Sequence, residues 1–337
     1  GTRPEAIKLA PVIEQLKALE HCCVTVCSTG QHKTMLQQVL TQFNITVDFS
    51  FDVMTENQTL NALSSIMLGQ IDELLQSEQP DWVIVQGDTT TAMIAALASF
   101  NRGVKVAHVE AGLRSGNMQS PWPEEGNRRL IAAVASHHFA PTQAARLALE
   151  SENIQQSMIS VTGNTVIDAL MKTCQNLSDS ESVKHRFDQR YQFLDQQKRL
   201  ILVTGHRREN WGDVQRDLFV TLKHIVQEFG VEIVYPVHLN PSVTKNATSI
   251  LGDTHGVHLI EPVEYSELVY LMQRCYLIIT DSGGIQEEAP SLGKPVLVTR
   301  SETERKEGIV SGSAILVGTD SSVLIDNTSR LLNDSLF

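Results

Sequence analysis

The sequence predicts an α/β protein of two Rossmann-like, doubly wound domains facing a cleft. Three observations predict it. The chain has 337 residues, too many for one ordinary core. Short, continuous apolar runs recur along it, the pattern of strands buried on both faces of a parallel sheet. Helix-patterned segments lie between most of these runs, and strand–helix alternation marks doubly wound folds.

In the first half, strands are expected at 22–29, 82–86, 104–109, 138–140 and 159–161. In the second half they are expected at 200–203, 232–237, 257–260, 276–280, 295–298 and 314–317. Helices are expected between them, among others at 60–75, 90–100, 123–135 and 214–228. The boundary falls near Gly163-Asn164-Thr165, giving domains 1–163 and 164–337. Segment 178–198 is polar and charged, and reads as a helix and connection into the second sheet. The chain opens on a strand-to-helix turn with no strand before it, and closes inside the helix-like SSVLIDNTSRLLND. Both ends read as cut, with a first strand and C-terminal helices missing.

Apolar residues make up 42% and charged residues 20%, ordinary for a folded soluble protein. The net charge of −12 disfavours a nucleic-acid binder, which would carry a basic stripe. Three of the five cysteines lie in CCVTVCS, and no C-x-x-C pair occurs; buried, reduced thiols of a cytoplasmic protein are expected. No apolar stretch approaches the ~20 residues needed to span a bilayer, so no membrane insertion is expected. No signal peptide is visible.

In doubly wound folds, ligands bind beyond the carboxyl ends of the strands, and the informative motifs follow strands. Ser282-Gly283-Gly284 links an apolar strand to a helix. Glycines let backbone N–H groups approach an anion, and the helix start adds about half a positive charge. This is a phosphate cradle, with Glu288 about one turn on as a ribose acceptor; a plain strand-to-helix turn with an N-cap serine is the alternative. The turn 1–8, GTRPEAIK, places Arg3 and Lys8 near a diphosphate. Asp88, in GDTTT, is either an N-cap or an acid–base carboxylate. Glu110, in HVEAGLR, ends an apolar run and needs a partner or a task. Glu124 opens a helix four residues before Arg128, so a helix-surface ion pair is its alternative role. One of Glu124 and Glu125 is expected to point inward. His206, beside Arg207 and Arg208, is placed for phosphate binding or proton relay. No metal-ligand spacing occurs, and neither metal nor other cofactor is expected.

Together the strings GTRPEAIK, GDTTT, HVEAGLR, SPWPEEGNRR, TGNTVIDAL, TGHRREN, VYPVHLNP and TDSGGIQEEAPSLGKPV closely resemble the non-hydrolysing UDP-N-acetylglucosamine 2-epimerases of bacteria. They stand in family order from end to end of the chain. The resemblance implies the glycosyltransferase-B type fold, a homodimer, and supply of UDP-ManNAc for cell-surface polysaccharide. It implies catalytic roles for Asp88, Glu110, Glu124 and His206. It implies substrate contacts at Arg3, Lys8, Arg128, Val263, Leu268, Ser282, Gly283, Gly284, Glu288 and Arg305. It also implies regulation by UDP-GlcNAc near Gln31, His32, Arg207 and His238. Two departures stand out: Lys306 follows Arg305 where the family commonly has proline, and Leu268 stands where relatives often place an aromatic residue against uracil.

The reaction so implied inverts C2 of the sugar, whose C–H is not acidic. Elimination of UDP to 2-acetamidoglucal, followed by re-addition, solves that problem and requires proton-transfer groups on both faces of the sugar. A glycosyltransferase, a hydrolysing epimerase and a non-catalytic UDP-sugar sensor are the alternatives. The three carboxylates argue against transfer, which needs no proton chemistry at C2.

Overall fold

In unit 1 the chain places α1 (Arg3–Lys17), β1 (Cys27–Ser28), α2 (Lys33–Gln42), β2 (Phe49–Ser50), α3 (Leu60–Glu78), β3 (Trp82–Gln86) and α4 (Thr90–Asn101). Then come β4 (Lys105–Val109), α5 (Glu124–Val134), β5 (His137–Ala140), α6 (Gln143–Ser151), β6 (Ile159–Val161) and α7 (Thr165–Asp179). The computed structural model describes residues 1–30, 33–55, 58–205, 212–303 and 305–333, with backbone only at 33–35 and 306. Two compact units divide at Ala169/Leu170, inside α7.

Helix α3 shows why these segments are helical. Leu63, Met67, Ile71 and Leu75 recur every fourth residue and are all buried, against Ile94 and Ala98 of α4. Thr59 caps its start by accepting from Ala62 N at 3.1 Å. The strands β3 to β6 pair side by side, all parallel, and among the described residues β1 pairs only with β2. The expected strand at 22–29 is thus ordered as a ladder over two residues, opposite a strand not expected from the sequence. Cys22 still belongs to the turn that ends α1, its N–H bonding Leu19 O at 3.1 Å. So short a ladder leaves the run uncovered: Cys22, Cys23 and Cys27 are exposed rather than buried, whereas Cys275 is buried as expected.

Unit 2 continues with α8 (Glu181–Arg190), β7 (Leu200–Thr204), α9 (Asp213–Phe229), β8 (Glu232–Pro236), α10 (Pro241–Leu251), β9 (Val257–Ile260), α11 (Tyr265–Arg274) and β10 (Leu277–Thr280). It closes with α12 (Gly283–Ser291), β11 (Val296–Val298), α13 (Lys306–Val310), β12 (Ala314–Leu316) and α14 (Ser321–Asn333). Its six strands are parallel in the order β9-β8-β7-β10-β11-β12. The chain builds outward from β7 to β9, then returns to lay β10 on the other side of β7. That reversal is the topological switch point of a Rossmann sheet, where the carboxyl ends of two strands part and leave room for a ligand. Ile201, Val203, Ile233, Leu277 and Ile279 pack against Phe219, Leu222 and Ile225 of α9 in one buried core. Each such side chain contributes about 1.5–3 kcal/mol by leaving water. No helix among the described residues is long and apolar enough to cross a membrane.

Candidate active site

Parallel pairing of β3 and β4, with Gln86 opposite Val109, brings the residues beyond both strands to one end of the sheet. Asp88 and Glu110 lie there. Asp88 does not cap α4. That task falls to Thr89, whose hydroxyl accepts from Ala92 N at 3.1 Å and donates to Glu5 at 2.7 Å. The Asp88 carboxylate instead pairs with Arg128, Oδ2 to Nη2 at 2.6 Å. Its backbone is gripped as well: Asn127 Nδ2 donates to Asp88 O at 2.8 Å, and His108 Nε2 lies 2.8 Å from Gly87 O.

Glu110 has a backbone φ of +64°, in the left-handed region that non-glycine residues rarely occupy. Two residues on, Gly112 has φ +88°, and a Cβ there would lie 2.3 Å from Ala145 O. Only glycine fits so close to α6, and this contact anchors the turn that carries Glu110. The carboxylate has the partners its burial demands. Lys8 of α1 and Asn164, the latter at 2.9 Å, both donate to Oε2. Lys8 and Glu110 are 8% and 6% exposed, so this ion pair is screened little by solvent.

The first turn of α5 separates its two acids. Glu125 is fully buried; its Oε2 accepts from Ser115 N at 3.0 Å and from Arg128 Nη1 at 3.1 Å. Burial works to raise its carboxyl, and those two donors more than reverse it, holding Glu125 below the usual carboxylate range. Glu125 is therefore the inward-pointing structural acid, at i,i+3 to Arg128. Glu124 is only partly buried, yet its Oε2 is out of solvent with no hydrogen-bond partner among the described residues. A buried carboxylate oxygen without a donor suits a group that meets a ligand.

Behind this end of the sheet lie two fully buried histidines, His108 and His138, opposite each other on β4 and β5 with ring centres 6.5 Å apart. Burial pushes both down to about 4; the bond to Gly87 only partly offsets this for His108, and nearby positive groups add to it for His138. Both folded values lie below the ordinary 6.5, so the unfolded chain binds more protons between pH 6.5 and 4. Stability is therefore intact above that window and is lost as pH falls through it, by about 3 kcal/mol per histidine at most. Neither ring nitrogen of His138 has a hydrogen-bond partner among the described residues. His138→Leu is thus expected to keep or raise stability at pH 7 and to roughly halve the acid loss. Denaturant titrations at pH 7 and pH 4.5 check this; an acid loss equal to the parent's would clear His138 of the effect.

In unit 2, β10 feeds Asp281 and Ser282 directly into α12, beside β7 at the switch point; Thr204 and Thr280 hydroxyls meet there at 2.6 Å. Ser282 holds the N-cap position of α12, but its side chain makes no cap bond. The start of the helix thus keeps donors for an anion. The Arg305 guanidinium lies over Gly283, so close that a Cβ there would stand 2.7 Å from its central carbon. Glu287 holds Arg305 through Nε at 2.8 Å, and Thr303 accepts from Arg305 N at 3.2 Å. Glu288 is buried one turn in and accepts from Tyr265 OH at 2.5 Å. Val263 is buried just before α11, and Leu268 is half-buried within its first turns.

Within unit 1 the structure brings together Lys8, Asp88, Glu110 and Arg128, with Glu124 at the start of the helix that carries Arg128 and Arg3 as the first residue of α1. Within unit 2 it brings together Ser282, Gly283, Gly284, Glu288 and Arg305. His206, Arg207, Gln31 and His32 lie outside the described residues. His238 is exposed, its Nδ1 accepting from Asn240 N at 3.1 Å. Asn127, Asn164, Tyr265 and Glu287 carry contacts that the sequence reading assigned to no role, although Asn164 stands inside the TGNTVID string.

The UDP-N-acetylglucosamine 2-epimerase family model matches residues 14–336. The UDP-N-acetylglucosamine 2-epimerase of Salmonella typhimurium is 48% identical over 335 residues, covering 99% of this chain and 89% of that protein. The crystal structure of UDP-GlcNAc 2-epimerase from Neisseria meningitidis bound to UDP-GlcNAc superposes with a TM-score of 0.94 at 44% identity, covering 98% of this chain and 89% of that one. The Methanocaldococcus jannaschii UDP-GlcNAc 2-epimerase, in complex with UDP-GlcNAc and UDP, gives 0.87 at 33% identity, covering 99% and 92%. Likeness at this level shows the fold: two Rossmann-like α/β units of the glycosyltransferase-B type.

Proposed function

Because this chain belongs to the UDP-N-acetylglucosamine 2-epimerase family of isomerases, we propose that it interconverts UDP-GlcNAc and UDP-ManNAc by eliminating and re-adding UDP. The carrying observation is the set of three carboxylates in unit 1 held in three different ways. Asp88 is ion-paired to Arg128, Glu110 is clamped by Lys8 and Asn164, and Glu124 keeps an inner oxygen without a hydrogen-bond partner among the described residues. Elimination takes the C2 proton to a carboxylate; the C–H electron pair becomes the C1=C2 bond of 2-acetamidoglucal, and the C1–O pair leaves with UDP. Re-addition returns the diphosphate oxygen to C1 and a proton to the opposite face of C2. Carboxylates in different environments suit this division between acid and base.

UDP binding belongs, in this reading, to Ser282, Gly283, Gly284, Glu288 and Arg305. A helix start and a guanidinium stabilise charge as it gathers on the departing diphosphate. Arg3, Lys8 and Arg128 assist at the sugar-phosphate end, while Val263 and Leu268 pack the base. His206 joins the proton-transfer group by family resemblance, and the regulatory site, the homodimer and the link to cell-surface polysaccharide rest on that resemblance too.

The test is NMR of UDP-GlcNAc incubated with the chain in heavy water. UDP-ManNAc is expected to appear with deuterium at C2 of both sugars. Epimerisation without deuterium would remove the elimination route, and free sugar as product would assign a hydrolysing enzyme instead.

A further inference from the structure

We propose that Asn164 is a positioning residue for Glu110, holding one carboxylate oxygen through an amide whose orientation the start of α7 fixes. The inference deepens the reading of Glu110 as a proton-transfer group and rests on it.

The amide has two ends, and each has a separate task. Asn164 Oδ1 accepts from Val166 N at 3.1 Å, one of the orphan donors at the start of α7. That bond leaves Nδ2 as the end that reaches Glu110, 2.9 Å from Oε2. Turned over, the amide would lose both bonds, because a carboxylate and an N–H each reject the wrong end. Helix capping thereby sets which atom faces the acid.

Glu110 needs such support. Its main chain sits in the left-handed region, anchored at Gly112, and a side chain leaving so strained a turn is aimed only as well as its neighbours aim it. Lys8 donates to the same oxygen from α1. Two donors, one from α1 and one from the turn before α7, thus hold one oxygen of the carboxylate. The turn that delivers Asn164 follows β6, which pairs with β5, which pairs with β4. Gly163, with φ +79°, makes that turn. Among the described residues, Lys8 from α1 and His108 from β4 are charged or titratable neighbours of Glu110 that this arrangement must work beside.

Asn164→Asp separates the two tasks. It keeps the oxygen that caps α7, removes the donor, and sets a second carboxylate against Glu110. The readout is the carboxyl 13C titration of Glu110 in the ligand-free chain, its signal assigned by loss in Glu110→Gln. The midpoint is expected to rise by about one pH unit or more, because two adjacent carboxylates resist sharing negative charge. In turnover, kcat is expected to fall about 10- to 100-fold, the scale for a reacting group displaced by up to an ångström. UDP affinity should stay at the parental value, while the thermal midpoint at neutral pH falls, because the repulsion that raises the Glu110 midpoint acts only in the folded chain. The new carboxylate moves the Glu110 midpoint by proximity alone, so an unmoved midpoint overturns the contact, and parental kcat, measured below the melting transition, overturns the positioning role whatever the midpoint does. If Asn164→Asp does not fold, Asn164→Ser decides: it keeps a capping hydroxyl without the reach of the amide, and parental kcat in that variant overturns the proposal equally. A parent chain that exchanges no C2 proton, while the Glu110 midpoint still moves in Asn164→Asp, removes the epimerase reading and keeps the contact.

Discussion

Glu124→Gln is expected to lower kcat by about 10²–10⁴-fold, the usual contribution of a general acid–base group, with UDP affinity and thermal midpoint unchanged. Its inner oxygen has no hydrogen-bond partner to lose among the described residues, and glutamine keeps the shape of the side chain. The other two carboxylates should lose turnover on the same scale but with different side effects. Asp88→Asn weakens an ion pair in which Asp88 is 25% exposed, so the stability loss is small. Glu110→Gln takes the carboxylate out of the buried ion pair with Lys8, and breaking a buried pair in this way costs about 3–5 kcal/mol. Activity of that variant must therefore be measured well below its melting temperature. C2 proton exchange, thermal melts and UDP calorimetry on all three variants check this. Parental exchange in Glu124→Gln would remove Glu124 from the chemistry and leave Asp88 and Glu110 to carry it.

Much of the fold was legible because strands in a doubly wound sheet are buried on both faces and must be written as continuous apolar runs. Segments 82–86, 159–161 and 257–260 match the observed strands at both ends. The run at 22–29 failed because apolar patterning reports which residues favour burial, whereas a strand also needs a neighbour; here pairing reaches only Cys27 and Ser28. At the site, sequence spacing narrowed the choices without making them. Asp88 and Thr89 are both capping residues, and only the register of α4 shows that the threonine caps and the aspartate is released to Arg128. Glu124 and Glu125 both stand within reach of Arg128 along a helix, and burial selects Glu125 for the structural bond. The Arg305–Gly283 approach joins residues from different elements, and no local pattern encodes it.

That approach yields the second large effect. Gly283→Ala is expected to weaken UDP binding by about 1.5–3 kcal/mol, the contribution of a hydrogen bond to a charged group, which is about ten- to hundredfold in Kd. Gly283 is the first residue of α12, its φ is not left-handed, and alanine favours a helix more than glycine does. The fold should therefore hold or gain slightly in stability. The three atoms nearest the added Cβ all belong to the Arg305 guanidinium, its central carbon and one terminal nitrogen at 2.7 Å and the other nitrogen at 3.1 Å. A flexible side chain yields, so Arg305 swings off the turn and its bond to Glu287, 2.8 Å in the parent, is strained or lost. Arg305→Ala removes the same cation outright and should weaken UDP binding to a similar or greater degree. If the two changes act through one contact, the double variant binds UDP no more weakly than Arg305→Ala alone, since coupled residues are not additive. Calorimetry of UDP with the two single variants and the double variant, beside thermal melts, distinguishes the outcomes. Additive losses would mean that the alanine methyl obstructs the anion itself. Parental affinity in Gly283→Ala would mean that Arg305 takes no part in holding UDP from its position over the turn.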